Sequence, residues 1–190
     1  MTNAHTGTPC GWSGTIQKFL SLSRSEWLAA LFRHHQASTN LPADERRRFA
    51  LERSYDILQK EFKQLMQVKP DLGDYTIIFE YQLPGKKECR PNIIILGASI
   101  FILEFSDGAE IIRSDLDMVD ACGHDVKQYH VESHQSDIVP ILVLAGAKGL
   151  IRRVKEVLIL SPEHISDFFN VQAELENKTL IDADRWISAE

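Results

Sequence analysis

Tyr75–Ser106 reads YTIIFEYQLPGKKECRPNIIILGASIFILEFS. Three apolar runs are separated by turn-rich segments, and each carries one polar residue where a buried strand seldom has one: Glu80, Asn92 and Glu104. An unpaired buried carboxylate is costly, so each glutamate is a metal ligand, half of an ion pair, or a residue on the exposed face of an edge strand. The runs Ile93–Leu96 and Ile100–Leu103 do not alternate, which predicts strands covered on both faces. Strands are predicted over 75–83, 91–96 and 99–105. PGKKECRP forms the first turn, and Gly97-Ala98 a tight hairpin.

Upstream, residues 1–11 are small and polar and read as a flexible tail. Ordered structure is expected from Trp12. In SLSRSEWLAALFRHHQ, Ser23 or Ser25 can cap a helix whose stripe is Trp27, Leu28, Leu31, Phe32 and His35. Asn40 and Pro42 break it, and Asp44 can cap the next helix. From 44 to 67, Leu51, Tyr55, Leu58, Phe62 and Leu65 recur at helical spacing. The outer face carries Glu45, Arg46, Arg47, Arg48, Glu52 and Arg53: either a phosphate contact or a solvated face with intrahelical ion pairs.

Downstream, a helix is predicted over 115–130 with the stripe Val119, Cys122, Val126 and Tyr129, weakened by Gly123. Strands follow over 138–144 and 154–160, and Ser161-Pro162-Glu163 opens a last helix. LIDADRWISAE has no clear period. The expected organisation is one domain over 12–190, with a helical preface (12–70), a core of sheet and helix (75–160) and a C-terminal helix and tail (161–190). The fold class is α/β, three layers around a mixed sheet, ordered helix-strand-strand-strand-helix-strand in its core.

Composition narrows the function. With 21 Lys+Arg against 27 Asp+Glu, a net charge of -6 argues against gripping nucleic acid by bulk electrostatics, so any such contact must be local. Cys10, Cys89 and Cys122 form no CxxC pair, which predicts reduced thiols rather than a disulfide framework or a zinc site. Neither a signal peptide nor a membrane span is legible, so a cytoplasmic location without membrane partners is expected. There is no GxSxG, and GAKG at 146–149 lacks the phosphate-loop pattern, so ATP hydrolysis by this chain alone is not expected. His130 and His134 are four apart, yet Glu132-Ser133 falls at the helix end; hydrogen-bonding or surface histidines are expected over a zinc site.

RPN, with EFS twelve residues after Asn92, resembles the PD-(D/E)xK, or restriction-endonuclease-like, nuclease core. Together with Gly11-Trp12-Ser13, IFEYQLP, YHVESH and VPILV, residues 11–190 are similar to the nuclease-like domain of bacterial nuclease-helicase fusion proteins. The closing WISAE resembles the junction where such a helicase begins. The resemblance implies a magnesium site at Glu80, Asn92 and Glu104, with Ser106 at the lysine position. Met118 and Cys122 stand at the helix positions of glutamine and tyrosine.

Four of these positions depart from the family pattern. Asn92 replaces an anionic ligand, Ser106 cannot do the work of an ammonium, and only Glu80 and Glu104 remain of the acidic set. The expectation is a catalytically degenerate domain that binds nucleic acid or docks onto a partner. By the resemblance that partner is a helicase or ATPase in bacterial anti-phage defence, with DNA as a further ligand and homo-oligomerisation open. No cofactor is expected beyond Mg for residual nuclease activity. Lys127, or Lys86 and Lys87, could be a relocated catalytic lysine. The rival readings are an active Mg-dependent deoxyribonuclease and a structural oligomerisation scaffold. In the structural alternative, Glu80 and Glu104 pair with Arg90, Arg113 or a lysine.

Overall fold

A computed structural model describes residues 9–39, 45–86, 90–175 and 179–189. Asn40, Pro42, Asp44, Lys87 and Cys89, which the sequence reading assigned to turns, a cap, a relocated lysine and a thiol, lie outside the described residues. The elements are β1 (Trp12–Thr15), α1 (Ile16–Ser21), α2 (Arg24–Thr39), α3 (Glu45–Val68), β2 (Thr76–Phe79), β3 (Ile93–Leu96), β4 (Ile100–Ser106), α4 (Arg113–Tyr129), β5 (Ile138–Leu144), β6 (Ile151–Val154), β7 (Val157–Leu160), α5 (Ile165–Leu175) and α6 (Ala183–Ser188).

The strands form one mixed sheet in the order β1-β2-β3-β4-β5-β7-β6. The first four run as an antiparallel meander, β4, β5 and β7 are parallel, and β6 returns antiparallel to β7. The side-chain period of two sorts each strand between the faces. Ile77, Phe79, Ile93, Ile95, Phe101 and Leu103 pack with Phe19, Trp27, Leu58, Phe62 and Phe169 of α1, α2, α3 and α5. Ile78, Ile94, Ile100 and Ile102 pack instead with Cys122, Val126 and Trp186 of α4 and α6. The expected three-layer α/β architecture is thus present, and both sheet faces are covered.

Both predicted N-terminal helices form, with Trp27, Leu28, Leu31, Tyr55, Leu58, Phe62 and Leu65 buried as their spacing implies. On α4, Val119, Cys122 and Val126 are buried, whereas Tyr129 is exposed and lies under the Lys86 ammonium, 4.6 Å from the ring centroid. Gly123, the apparent weakness of that helix, is where it meets the sheet. A Cβ there would stand 2.8 Å from Cγ of Pro140 on β5, so only glycine allows this approach.

Several short elements escaped the periodicity. β1 and α1 are four and six residues long, the latter started by Thr15, whose side chain accepts from the Lys18 N–H. Order also begins before Trp12: the Pro9 carbonyl accepts from Gln82 N–H and Gly11 N–H donates to Phe79 O. The strand expected over 154–160 is in fact the β6–β7 hairpin, which reverses at Lys155, in the left-handed region at φ 53°. The aperiodic tail holds α6, capped by Asp182. Among the described residues no helix is long and apolar enough to cross a membrane.

Candidate functional site

The register of β2, β3 and β4 aligns Phe79, Ile93 and Leu103, so the next row is Glu80, Asn92 and Glu104. The three candidate residues are therefore neighbours across three strands. Glu80 N–H donates to Asn92 O at 2.8 Å, and Asn92 N–H donates to Glu104 Oε1 at 2.9 Å. Their side chains, however, go to different partners.

Glu80 stands in the left-handed region at φ 55°, a conformation costing about 1 kcal/mol for a side chain with a Cβ. That residue resets the strand alternation. Phe79 belongs to the α3 side of the sheet, and Tyr81, two residues on, belongs to the α4 side rather than joining it. The Glu80 carboxylate accepts a hydrogen bond from the Arg47 guanidinium of α3. Burial pushes its pKa up, while Arg47 and, more remotely, Arg90 pull it down. The His34 ring of α2 bonds the Glu80 backbone carbonyl, and burial with the neighbouring Arg90 and Arg47 holds that imidazole below its usual range. Glu80 is thus half of an ion pair, with Arg47 in place of the expected Arg90, Arg113 or lysine; Arg113 instead pairs with Asp117 on its own helix.

Among the described residues no cation is paired with Glu104. Its second oxygen, Oε2, accepts from Asn92 Nδ2 at 2.5 Å, so one residue supplies donors to both carboxyl oxygens. At 4% exposure, burial dominates over these two bonds and lifts the pKa to about 7. Glu104 is therefore partly a neutral acid near neutrality, a state that none of the three options weighed from sequence anticipated.

Ser106 lies one pleat further on, buried, and its carbonyl accepts from Ala145 N–H. Met118 is exposed on the outer side of α4, and Cys122 is buried in the core beneath it. Lys127 does not reach the row. Its Nζ donates to Ser136 O at 2.6 Å, just before β5, where Ile138 pairs with Ile100; Glu104 pairs with Leu142. Four residues of strand place these ends about 13 Å apart. Lys86 is engaged by Asp125 and Tyr129.

Arginines from α3 stand at the row's end of the sheet. Besides Arg47, Arg53 donates from Nη2 to Ala145 O at 3.0 Å and from Nη1 to Asp107 at 3.3 Å, at the ends of β5 and β4. Sequence reading flagged this run without a destination, because the destinations are far along the chain.

The histidine pair separates. His130 is fully buried: Nδ1 faces Ser133 Oγ at 3.1 Å, Nε2 faces Trp186 O at 3.0 Å and Tyr81 Oη at 3.1 Å, and the ring stacks on Trp186 at 3.9 Å. Trp186 Nε1 donates to Ser133 Oγ. Since the carbonyl only accepts, Nε2 carries the proton and Nδ1 accepts from Ser133. His134 turns instead to Gln128 O.

No protein-family model matches the chain, no curated protein matches it, and no solved structure matches it. A divalent cation of the kind the nuclease resemblance implies needs hard anionic oxygens aimed at one point. Here one carboxylate is held by a guanidinium and the other carboxyl is buried against an amide. The donor set at Glu80, Asn92 and Glu104 does not fit such an ion, and among the described residues no group of three His, Cys, Asp or Glu side chains is arranged to hold one.

Proposed function

We propose that this chain is a non-catalytic, nuclease-like domain that docks nucleic acid for a helicase or ATPase partner, in the setting of bacterial anti-phage defence. The observation that carries this reading is the commitment of both candidate carboxylates to protein donors: Glu80 to Arg47 and Glu104 to Asn92. A hydrolytic site would keep those oxygens aimed at an ion or a water. Ser106 supplies no cation, and Lys127 and Lys86 are bonded elsewhere. What the row's end of the sheet does present is guanidinium from α3, which suits binding to phosphate rather than its cleavage.

The test is incubation of the protein with plasmid and with single-stranded DNA in Mg or Mn. No cleavage is expected, together with salt-dependent binding that persists in Glu104→Gln. Cleavage that disappears in Glu104→Gln overturns the reading in favour of an active deoxyribonuclease. A stable dimer that binds no nucleic acid overturns it in favour of an oligomerisation scaffold.

A further inference from the structure

Most residues in the first two turns of α3 are exposed. Of residues 45–50 only Arg47 is part-buried; Phe49 is 66% exposed, and the buried stripe of the helix begins at Ser54. Arg46, Phe49 and Arg53 are spaced i, i+3 and i+7, so they lie along one side of the helix, guanidinium, ring, guanidinium, over about 10 Å of its axis. Arg46 and Phe49 make no hydrogen bond, ion pair or ring contact with the other described residues. Arg47, a quarter-turn around, is pinned to Glu80 and fixes the roll of the helix so that the stripe faces outward.

We propose that this stripe binds a single strand of nucleic acid, Arg46 and Arg53 taking successive phosphates and Phe49 stacking on an unpaired base between them. The proposal rests on the docking reading above and names its surface and ligand class. A guanidinium fork matches a phosphate, and an exposed ring offers a face that any unstacked base can cover. Paired bases in a duplex are stacked on one another and leave Phe49 no face to meet. The Arg53–Asp107 pair is solvent-exposed, so its exchange for a phosphate is inexpensive. Arg53 also carries the stripe to the ends of β4 and β5, so a strand lying along α3 is delivered to the candidate site. With a net charge of -6, such binding has to rest on local contacts of this kind rather than on the field of the whole chain.

The experiment is fluorescence anisotropy with a labelled twelve-nucleotide oligothymidylate, a duplex of the same length and a twelve-residue polyglutamate, at two salt concentrations. The oligothymidylate is expected to bind more tightly than the duplex. Phe49→Ala should weaken it by about fivefold or more without altering the salt dependence. Arg46→Gln should weaken it and lower the logarithmic salt slope by about 0.7. Both positions are exposed, and unchanged circular dichroism and melting verify the fold of the variants. Oligothymidylate binding that survives both substitutions overturns this surface while leaving the docking reading intact. Polyglutamate binding more tightly than the oligonucleotide overturns the ligand class in favour of an acidic protein. Absence of binding to either nucleic acid overturns the proposal and the docking reading together.

Discussion

Asn92 donates to both oxygens of the Glu104 carboxyl, one bond from its backbone N–H and one from its side-chain amide, and Glu104 is almost wholly buried behind it. In this pairing it is the asparagine amide that faces the second oxygen of the Glu104 carboxyl. Several outcomes follow from the charge that this leaves unbalanced.

The Glu104 carboxyl titrates near 7 when folded, above the ordinary glutamate range that it has in the unfolded chain. A raised folded value means that the unfolded chain binds fewer protons between the two. The stabilising contribution is therefore full below the unfolded value and is lost as pH rises to about 7, on the order of 3 kcal/mol in total. Glu80 shifts in the same direction and adds to the trend. Glu104→Gln keeps the shape and can pair amide to amide with Asn92. Urea unfolding from pH 4.5 to 8.5 should show the decline in the parent and a flatter profile in the variant, with the variant more stable at pH 8.

Asn92→Asp places a second carboxylate against Glu104. Like charges at this distance should destabilise the fold by about 2 kcal/mol at pH 7.5. A divalent cation then has two anionic ligands, so Mn should raise the melting temperature of this variant and leave that of the parent unchanged. Equal Mn responses in the two proteins would mean that Asn92 does not stand in for a cation.

Arg47→Ala strands the buried Glu80 carboxylate without its cation, at a cost of about 3 kcal/mol. Glu80→Gln alone should cost less, since an amide needs no counter-ion. A double-mutant cycle read by urea midpoints checks this: a coupling below about 0.5 kcal/mol would make the pair incidental.

The contact of α6 with the sheet depends on a neutral His130. Protonation of Nδ1 would remove its bond from Ser133, and burial holds the folded pKa below the ordinary histidine range. A lowered folded value means stability that is present above the unfolded pKa and lost as pH falls through the folded one. Trp186 emission should therefore shift to longer wavelength on acidification below the ordinary histidine pKa. His130→Phe should abolish that step while retaining the stacked ring.

The long helices and the central strands were legible because their signals are local. The 3.6-residue recurrence from Leu51 to Leu65 and the unbroken runs at Ile93 and Ile100 each report burial within a few residues of chain. The row of Glu80, Asn92 and Glu104 does not follow from the turn expected at Gly97-Ala98, which would pair Leu96 with Ser99 and Asn92 with Leu103; the loop instead spans 97–99, pairs Leu96 with Ile100 and so brings Asn92 level with Glu104. Six-residue α1 and α6 were not legible because they span less than two helical turns, and β1, WSGT, was not because it has one apolar residue where the equally short β2 and β3 are apolar runs.

What only the tertiary structure decided is where the charges end. Arg47 lies 33 residues from Glu80, and Arg53 is 92 residues from Ala145. No spacing rule connects groups so distant, and several arginines could have answered either carboxylate on sequence alone. The left-handed backbone at Glu80 sends its carboxylate toward α3, whereas the Glu104 carboxyl on β4 stays behind Asn92. Sequence placed one polar residue in each of three strands; the strand register brought them into one row, and packing determined that each would be satisfied by the protein itself.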